Sequence, residues 1–110
     1  MPAYYQTEDL AKLGSLGQGA PALWELFQSW YAEVFRDGAL SAREKALIAL
    51  AVSNALQCPY CIDSFAQTCL ETGANTEQMT EAIHVASGVR GGASLIHGLQ
   101  AIRSVEKVSM

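Results

Sequence analysis

The chain has 110 residues, half of them hydrophobic and 16% charged, with a formal net charge of −4. That length makes one ordinary domain with one core. The acidic balance, without any run of Lys or Arg, speaks against nucleic acid or an anionic membrane as a partner.

No stretch reaches ~18 uninterrupted apolar residues, so no membrane-spanning helix is expected. Met1 to Asp9 lacks the basic-then-apolar pattern of a signal peptide, which points to a cytoplasmic protein whose thiols stay reduced unless they cycle. Three cysteines is an odd number and argues against a structural disulfide framework. The high apolar share for so small a chain implies that another subunit covers part of its surface.

Residues 1–20 read as an N-terminal arm. Tyr4 and Tyr5 are placed across a surface, Thr7 caps a short helix over Glu8–Leu13, and Gly14, Gly17 and Gly19 form a flexible connector. Pro21 opens a helix to about Phe35 with an apolar stripe from Leu23, Trp24, Leu26, Phe27, Trp30, Tyr31, Val34 and Phe35. A packed core or subunit face explains that stripe better than a cofactor pocket. Asp37-Gly38 stops the helix.

Ser41-Ala42-Arg43-Glu44 is a capping box, in which the serine accepts from the backbone three residues on and the glutamate reaches back. The helix it opens runs to Leu56, is apolar nearly all round and is expected to be the central buried helix. A thiol-bearing helix follows from Pro59 to about Thr72, ended by Gly73. Asn75 or Thr76 caps the next, which runs to about Val89 and breaks or kinks at Gly91-Gly92. A last helix covers Ala93 to about Val105. No strand signal or repeat is visible. The expectation is an all-α single-domain helical bundle, residues 1–110, in which the two most apolar helices form an antiparallel hairpin at Cys58-Pro59-Tyr60-Cys61.

That CxxC carries the chemistry. Thiols at i and i+3 at the start of a helix can close into a small ring and reopen. Pro59 costs nothing at the first helical position, because its missing N–H would be unpaired there anyway. Cys58 then sits at the N-cap, facing free N–H groups and the positive end of the helix dipole, a setting that favours the thiolate. The plainer alternatives are two small buried hydrophobes or half of a metal site. A structural zinc needs four ligands around one point. Cys69 lies eight residues past Cys61, ~12 Å along one helix, and cannot join them. Cys69 is read as core, and no metal or cofactor is expected.

A proton relay would assist the thiols, and its candidates are few. Glu44 already serves as a cap and lies ~21 Å before Cys58 on a straight helix. Asp63 is read as stabilising the helix N-terminus. Tyr60 is read as a ring over the thiols, with a hydroxyl for substrate as the sharper alternative. His84 falls on a polar helix face and is expected to be solvated. His97 lies among the small residues Ala93, Ala101 and Ser104, where it either packs at an interface or enters a pocket. It remains a weak third candidate site residue beside Cys58 and Cys61.

The stretch from Glu44 through Cys58-Pro-Tyr-Cys61, with the following helix, Gly73 and Gly91-Gly92, resembles the core motif of the carboxymuconolactone decarboxylase and alkylhydroperoxidase-D-like superfamily over residues 40–100. Tyr4-Tyr5, Gly17-Gln18-Gly19 and Arg90 to Leu95 look most like a branch of peroxidase-like proteins associated with arsenosugar biosynthesis. The resemblance implies an all-helical fold, trimers or hexamers, and a thiol/disulfide pair with Cys61 attacking peroxide and Cys58 resolving. The local argument instead makes Cys58 the more acidic thiol. The family's relay histidine and glutamate fall at Phe65 and Ala46, so the relay is missing. The decarboxylase members lack the redox pair, so decarboxylation fits poorly.

The leading expectation is a thiol/disulfide oxidoreductase, peroxidase-like, working on a small-molecule peroxide or disulfide with a thiol reductant. The alternative is a non-enzymatic ligand-binding or assembly module that keeps the frame without the relay. Rebuilding the relay by Phe65→His with Ala46→Glu is expected to raise peroxide reduction more than the two single changes combined.

Overall fold

The computed structural model describes residues 6–109, and Tyr4 and Tyr5 lie outside them. A 3₁₀ arm, Thr7–Gly17, is followed by four α-helices: α1 Pro21–Phe35, α2 Ala42–Leu56, α3 Pro59–Glu71 and α4 Thr76–Ser109. No strand occurs among the described residues. The all-α expectation holds, and α2 is the hub, packed chiefly against α3 and α4.

Each start and stop has a local cause. Ser41 Oγ accepts from the Glu44 N–H at 3.1 Å and Glu44 Oε1 accepts from the Ser41 N–H at 2.8 Å, which completes the capping box. Such a cap is worth about 1 kcal/mol. Gln57, at φ 56°, turns the chain out of α2. Gly73, at φ 91°, ends α3 in the left-handed region that glycine enters without penalty. Asn75 is the cap of α4. Its Oδ1 accepts from the Gln78 N–H at 2.8 Å, and Gln78 Oε1 accepts from the Asn75 N–H at 3.0 Å.

The core is small. Ala46, Leu50, Cys69 and Ala74 are buried together, with Leu47, Phe65, Ala66, Met79 and Ile83 packed against them. Cys69 is fully buried, as the sequence suggests, and burial pushes its thiol pKa up.

Three expectations need correction. First, α4 is one continuous helix of 34 residues, with no break at Gly91-Gly92. Glycine inside a helix costs about 1 kcal/mol but leaves its N–H free to bond, and no proline is present to break the ladder. Second, α2 is central yet not buried all round. Ala46, Leu50 and Ser53 face the core, while Ile48, Val52 and Leu56 are exposed. Third, the arm stays helical through Gly14 to Gly17, and its N-cap residue is Gln6, so Thr7 lies inside it. Gly17 is buried against Trp24, where an added Cβ would stand 2.5 Å from the indole Cδ1. It is a seat for the arm, not loose connector.

The chain is not compact. Its radius of gyration is 18.9 Å and its extents are 58 × 36 × 36 Å, against about 13 Å for a compact domain of this length. The cause is α4, ~51 Å long, whose last buried residue is Ala86. Beyond it Leu95, Leu99, Ile102 and Val105 stand exposed, and α1 buries none of its residues, with Leu23, Leu26 and Trp30 open to solvent.

Candidate active site

Helix α3 starts at the CxxC. Cys58 is its N-cap, and Cys58 Sγ accepts from the Cys61 N–H at 3.3 Å. The Cys58 N–H is in turn spent on the Ser53 carbonyl at 3.1 Å, which ties the turn to α2. Both thiols are half-buried and free. A hydrogen bond from the Cys61 thiol, followed by the Cys61 and Tyr60 backbone N–H groups, holds the Cys58 pKa below its ordinary value. Donating to Cys58, and then burial, push Cys61 up to about 11. The two thiols are therefore unlike: the Cys58 thiol is the more acidic and the Cys61 thiol the less acidic of the pair.

Cys61 lines two cavities. A cavity of about 430 Å³ lies between the arm and α3, lined by Leu10, Leu13, Leu16, Tyr31, Cys61 and Phe65 among others. A second, of about 530 Å³, lies on the other side between α1 and α2 and shares Tyr31, Cys61 and Phe65 with the first. Tyr31 and Phe65 thus flank the thiol from both sides. Burial, and then proximity to Cys61, raise the Tyr31 phenol pKa. The ring belongs to a ladder running Phe27, Tyr31, Phe35 and Phe65, with centroids 5.4, 4.8 and 5.3 Å apart, which fixes α1 against α3.

Tyr60 does not offer its hydroxyl to these cavities as a free donor. It donates to Asp9 Oδ2 at 2.7 Å and accepts from the Gln6 N–H at 3.4 Å. Glu44 stays on its cap, and its carboxyl pKa is lowered by the Ser41 hydrogen bonds. Asp63 is exposed and lies just past the first turn of α3. His84 and His97 are both exposed on α4, and neither lines a cavity that reaches Cys61. The structure brings Cys58 and Cys61 together and leaves His97 apart from them within one chain. Among the described residues, no group of three or more His, Cys, Asp or Glu is placed to hold a metal.

The sequence reading missed Asp9 and Tyr31. Asp9 gives no signal, since one carboxylate in an arm looks like any solvated charge. Tyr31 sits four residues from Phe27 and from Phe35, and that spacing could have flagged the ladder. The two relay positions are filled by packing. Ala46 is fully buried in the core, and Phe65 lies against it and stacks on Phe35.

The sequence model of the Carboxymuconolactone decarboxylase family matches residues 21–104. The chain belongs to that family. It is similar to an uncharacterized protein of the cox locus of Paracoccus denitrificans, 37% identical over 89% of this chain and 88% of that protein. An uncharacterized protein of Cupriavidus necator is 30% identical over 87% of this chain and 85% of its own length. The fold is similar to the crystal structure of an apo carboxymuconolactone decarboxylase family protein from Legionella pneumophila, with TM-score 0.71, 33% identity and 94% of each chain covered. A Thermotoga maritima crystal structure follows at TM-score 0.67 and 27% identity, covering 92% of this chain and 90% of that one. In this family member, the CxxC, the arm above it and the two apolar cavities form one continuous locus. Among the described residues, no helix is long and apolar enough to cross a membrane.

Proposed function

We propose that this protein is a thiol/disulfide oxidoreductase in which Cys58 enters as thiolate and Cys61 resolves. The observation that carries the reading is the opposed polarisation of the pair, with Cys58 held below the ordinary thiol range by donors from Cys61 and Tyr60 and Cys61 pushed to about 11. The Cys58 thiolate attacks one sulfur of a small-molecule disulfide, forms a mixed disulfide and expels the first thiolate. Cys61 then attacks Cys58 Sγ, closes the Cys58–Cys61 bond and gives its proton to the second leaving thiolate. Two electrons leave the pair and reduce the substrate disulfide to one thiol and one thiolate, the latter taking its proton from water. An external thiol reductant reopens the ring. This order is the reverse of the one the family resemblance implies for a peroxidase. A peroxide substrate approaching through the cavities meets Cys61 as a protonated thiol, which makes peroxide reduction slow.

Titration of the reduced protein against a glutathione redox buffer tests the reading. The expected result is reversible loss of two thiols per chain, mapped to Cys58 and Cys61, with Cys69 unchanged. Thiols that stay reduced across the whole range would support the ligand-binding or assembly module instead.

The assembly belongs to the same reading. A radius of gyration of 18.9 Å and the exposed apolar faces of α1 and the second half of α4 are supported best by further copies of this chain covering them, as a trimer or hexamer. Light scattering at micromolar concentration is expected to give a multiple of 11.8 kDa. The paired change Leu99→Asp with Ile102→Asp is expected to dissociate it, since both side chains are exposed in the single chain and would carry charge into the covered face. A wild-type monomer would overturn this.

A further inference from the structure

We propose that the 3₁₀ arm is a gate over Cys61, latched shut by the hydrogen bond between Asp9 and Tyr60. The proposal deepens the oxidoreductase reading and rests on it for the role of Cys61.

The arm crosses the smaller cavity as a strap held, among the described residues, at its start and at its end. At its start, Tyr60 donates to Asp9 Oδ2 at 2.7 Å and accepts from the Gln6 N–H at 3.4 Å. At its end, buried Gly17 rests on the Trp24 indole, too close for any side chain. Between these fixings the arm supplies one whole wall of the cavity, and Tyr31, Tyr60, Cys61 and Phe65 supply the opposite one.

The strap is poised to move. An 11-residue 3₁₀ run is long for a geometry with poor hydrogen bonds, which is normally used in pieces of three or four residues. Its apolar side chains do not lock it, since Leu13 is 48% and Leu16 68% exposed. Gly19 follows the Gly17 seat with open space around it and serves as the pivot. The latch residue Tyr60 sits between the two cysteines, so the wall that closes on Cys61 is tied to the turn that carries the thiols. Releasing Asp9 from Tyr60 removes the shorter of the two hydrogen bonds described at the start of the strap, which loosens it and opens the cavity to larger molecules.

The test reads access to Cys61 rather than turnover. In the reduced full-length protein carrying Cys58→Ser, Cys61 and Cys69 are labelled in parallel with iodoacetamide and with fluorescein maleimide, and each site is followed by peptide mass. Cys69 is fully buried and reports general unfolding. With the strap closed, the bulky reagent reacts more slowly at Cys61 than its intrinsic reactivity predicts. Adding Asp9→Ala is expected to raise maleimide labelling of Cys61 at least fivefold, to change iodoacetamide labelling less than twofold, and to leave Cys69 unlabelled. Tyr60→Phe removes the same latch from the other side and gives the same pattern, which secures the test should Asp9→Ala fail to fold. Unchanged maleimide labelling in both variants overturns the gate, as does a joint rise at Cys61 and Cys69. The second cavity reaches Cys61 from the opposite side, so the gain over the parent is the quantity that decides. A redox-inert pair would sink the oxidoreductase reading and leave this result intact. Free access in the parent would sink the gate and leave the redox reading intact.

Discussion

Cys61→Ser, mixed with a small-molecule disulfide at neutral pH, is expected to accumulate a stable mixed disulfide on Cys58, whereas Cys58→Ser loses at least ~100-fold in the rate of disulfide reduction. The reason lies in the proton distribution of the pair. In the intact pair Cys61, with a pKa of about 11, is thiolate to only about one part in 10⁴ at pH 7; Cys58→Ser removes the attacking thiolate and keeps the burial that raises Cys61. Cys58 accepts the Cys61 N–H at the start of α3, and the Cys61 side chain, then the Cys61 and Tyr60 backbone N–H groups, favour its anion.

The pH profile separates the contributions. Alkylation of Cys58 follows its thiolate fraction, so the rate rises with pH and levels off above the pKa. A lowered pKa moves that rise to lower pH than for an ordinary thiol. The largest single cause of the lowering is the hydrogen bond donated by the Cys61 side chain. Cys61→Ser keeps a donor there and should leave the profile low, while Cys61→Ala removes it and should move the profile up. An undiminished rate in Cys58→Ser, with the mixed disulfide found on Cys61, would restore the order that the family resemblance implies.

Ala46→Glu, the change that would rebuild half of the family's relay, is expected to destabilise the protein by about 3–5 kcal/mol, because it leaves an unpaired carboxylate in the core. Ala46 has no exposed surface and is packed among Leu50, Cys69 and Ala74. Thermal unfolding should fall by roughly 10 °C or more. The sign of the pH dependence follows from burial, which raises the introduced carboxyl's pKa in the folded state above its unfolded value near ~4.3. Such a group prefers to be neutral when folded, so the loss of stability is smallest below the unfolded pKa and grows as pH rises through the folded one. The expectation that Phe65→His with Ala46→Glu rescues peroxide reduction is therefore reversed. Ala46 is buried and Phe65 packs against the same cluster, so the double variant should unfold before it catalyses. A double variant as stable as wild type, and faster with peroxide, would show that the core can reopen at this point.

Much of the fold is readable residue by residue. The capping box at Ser41 and Glu44, Pro59 at the first position of α3, Gly73 after its end and the Asn75 cap are local hydrogen-bonding and backbone choices, and each predicts its boundary. The CxxC at a helix start was legible for the same reason. Gly91-Gly92 misled because glycine weakens a helix without forbidding it, and what happens there depends on neighbours that local sequence does not specify. The apolar stripe of α1 was correctly seen, but hydrophobicity alone does not say whether a face meets its own core or another copy.

The sequence by itself determined the helical class, the caps and the placement of Cys58 at a helix N-terminus, since all of these follow from residue type and spacing along the chain. Only the tertiary structure decided that Cys61 lines the two cavities, that Tyr31 flanks the thiol, and that Asp9 reaches Tyr60 across 51 residues of chain. Those facts depend on which helix lies against which. That choice is made by shape and burial summed over the whole chain, where no local pattern carries the information.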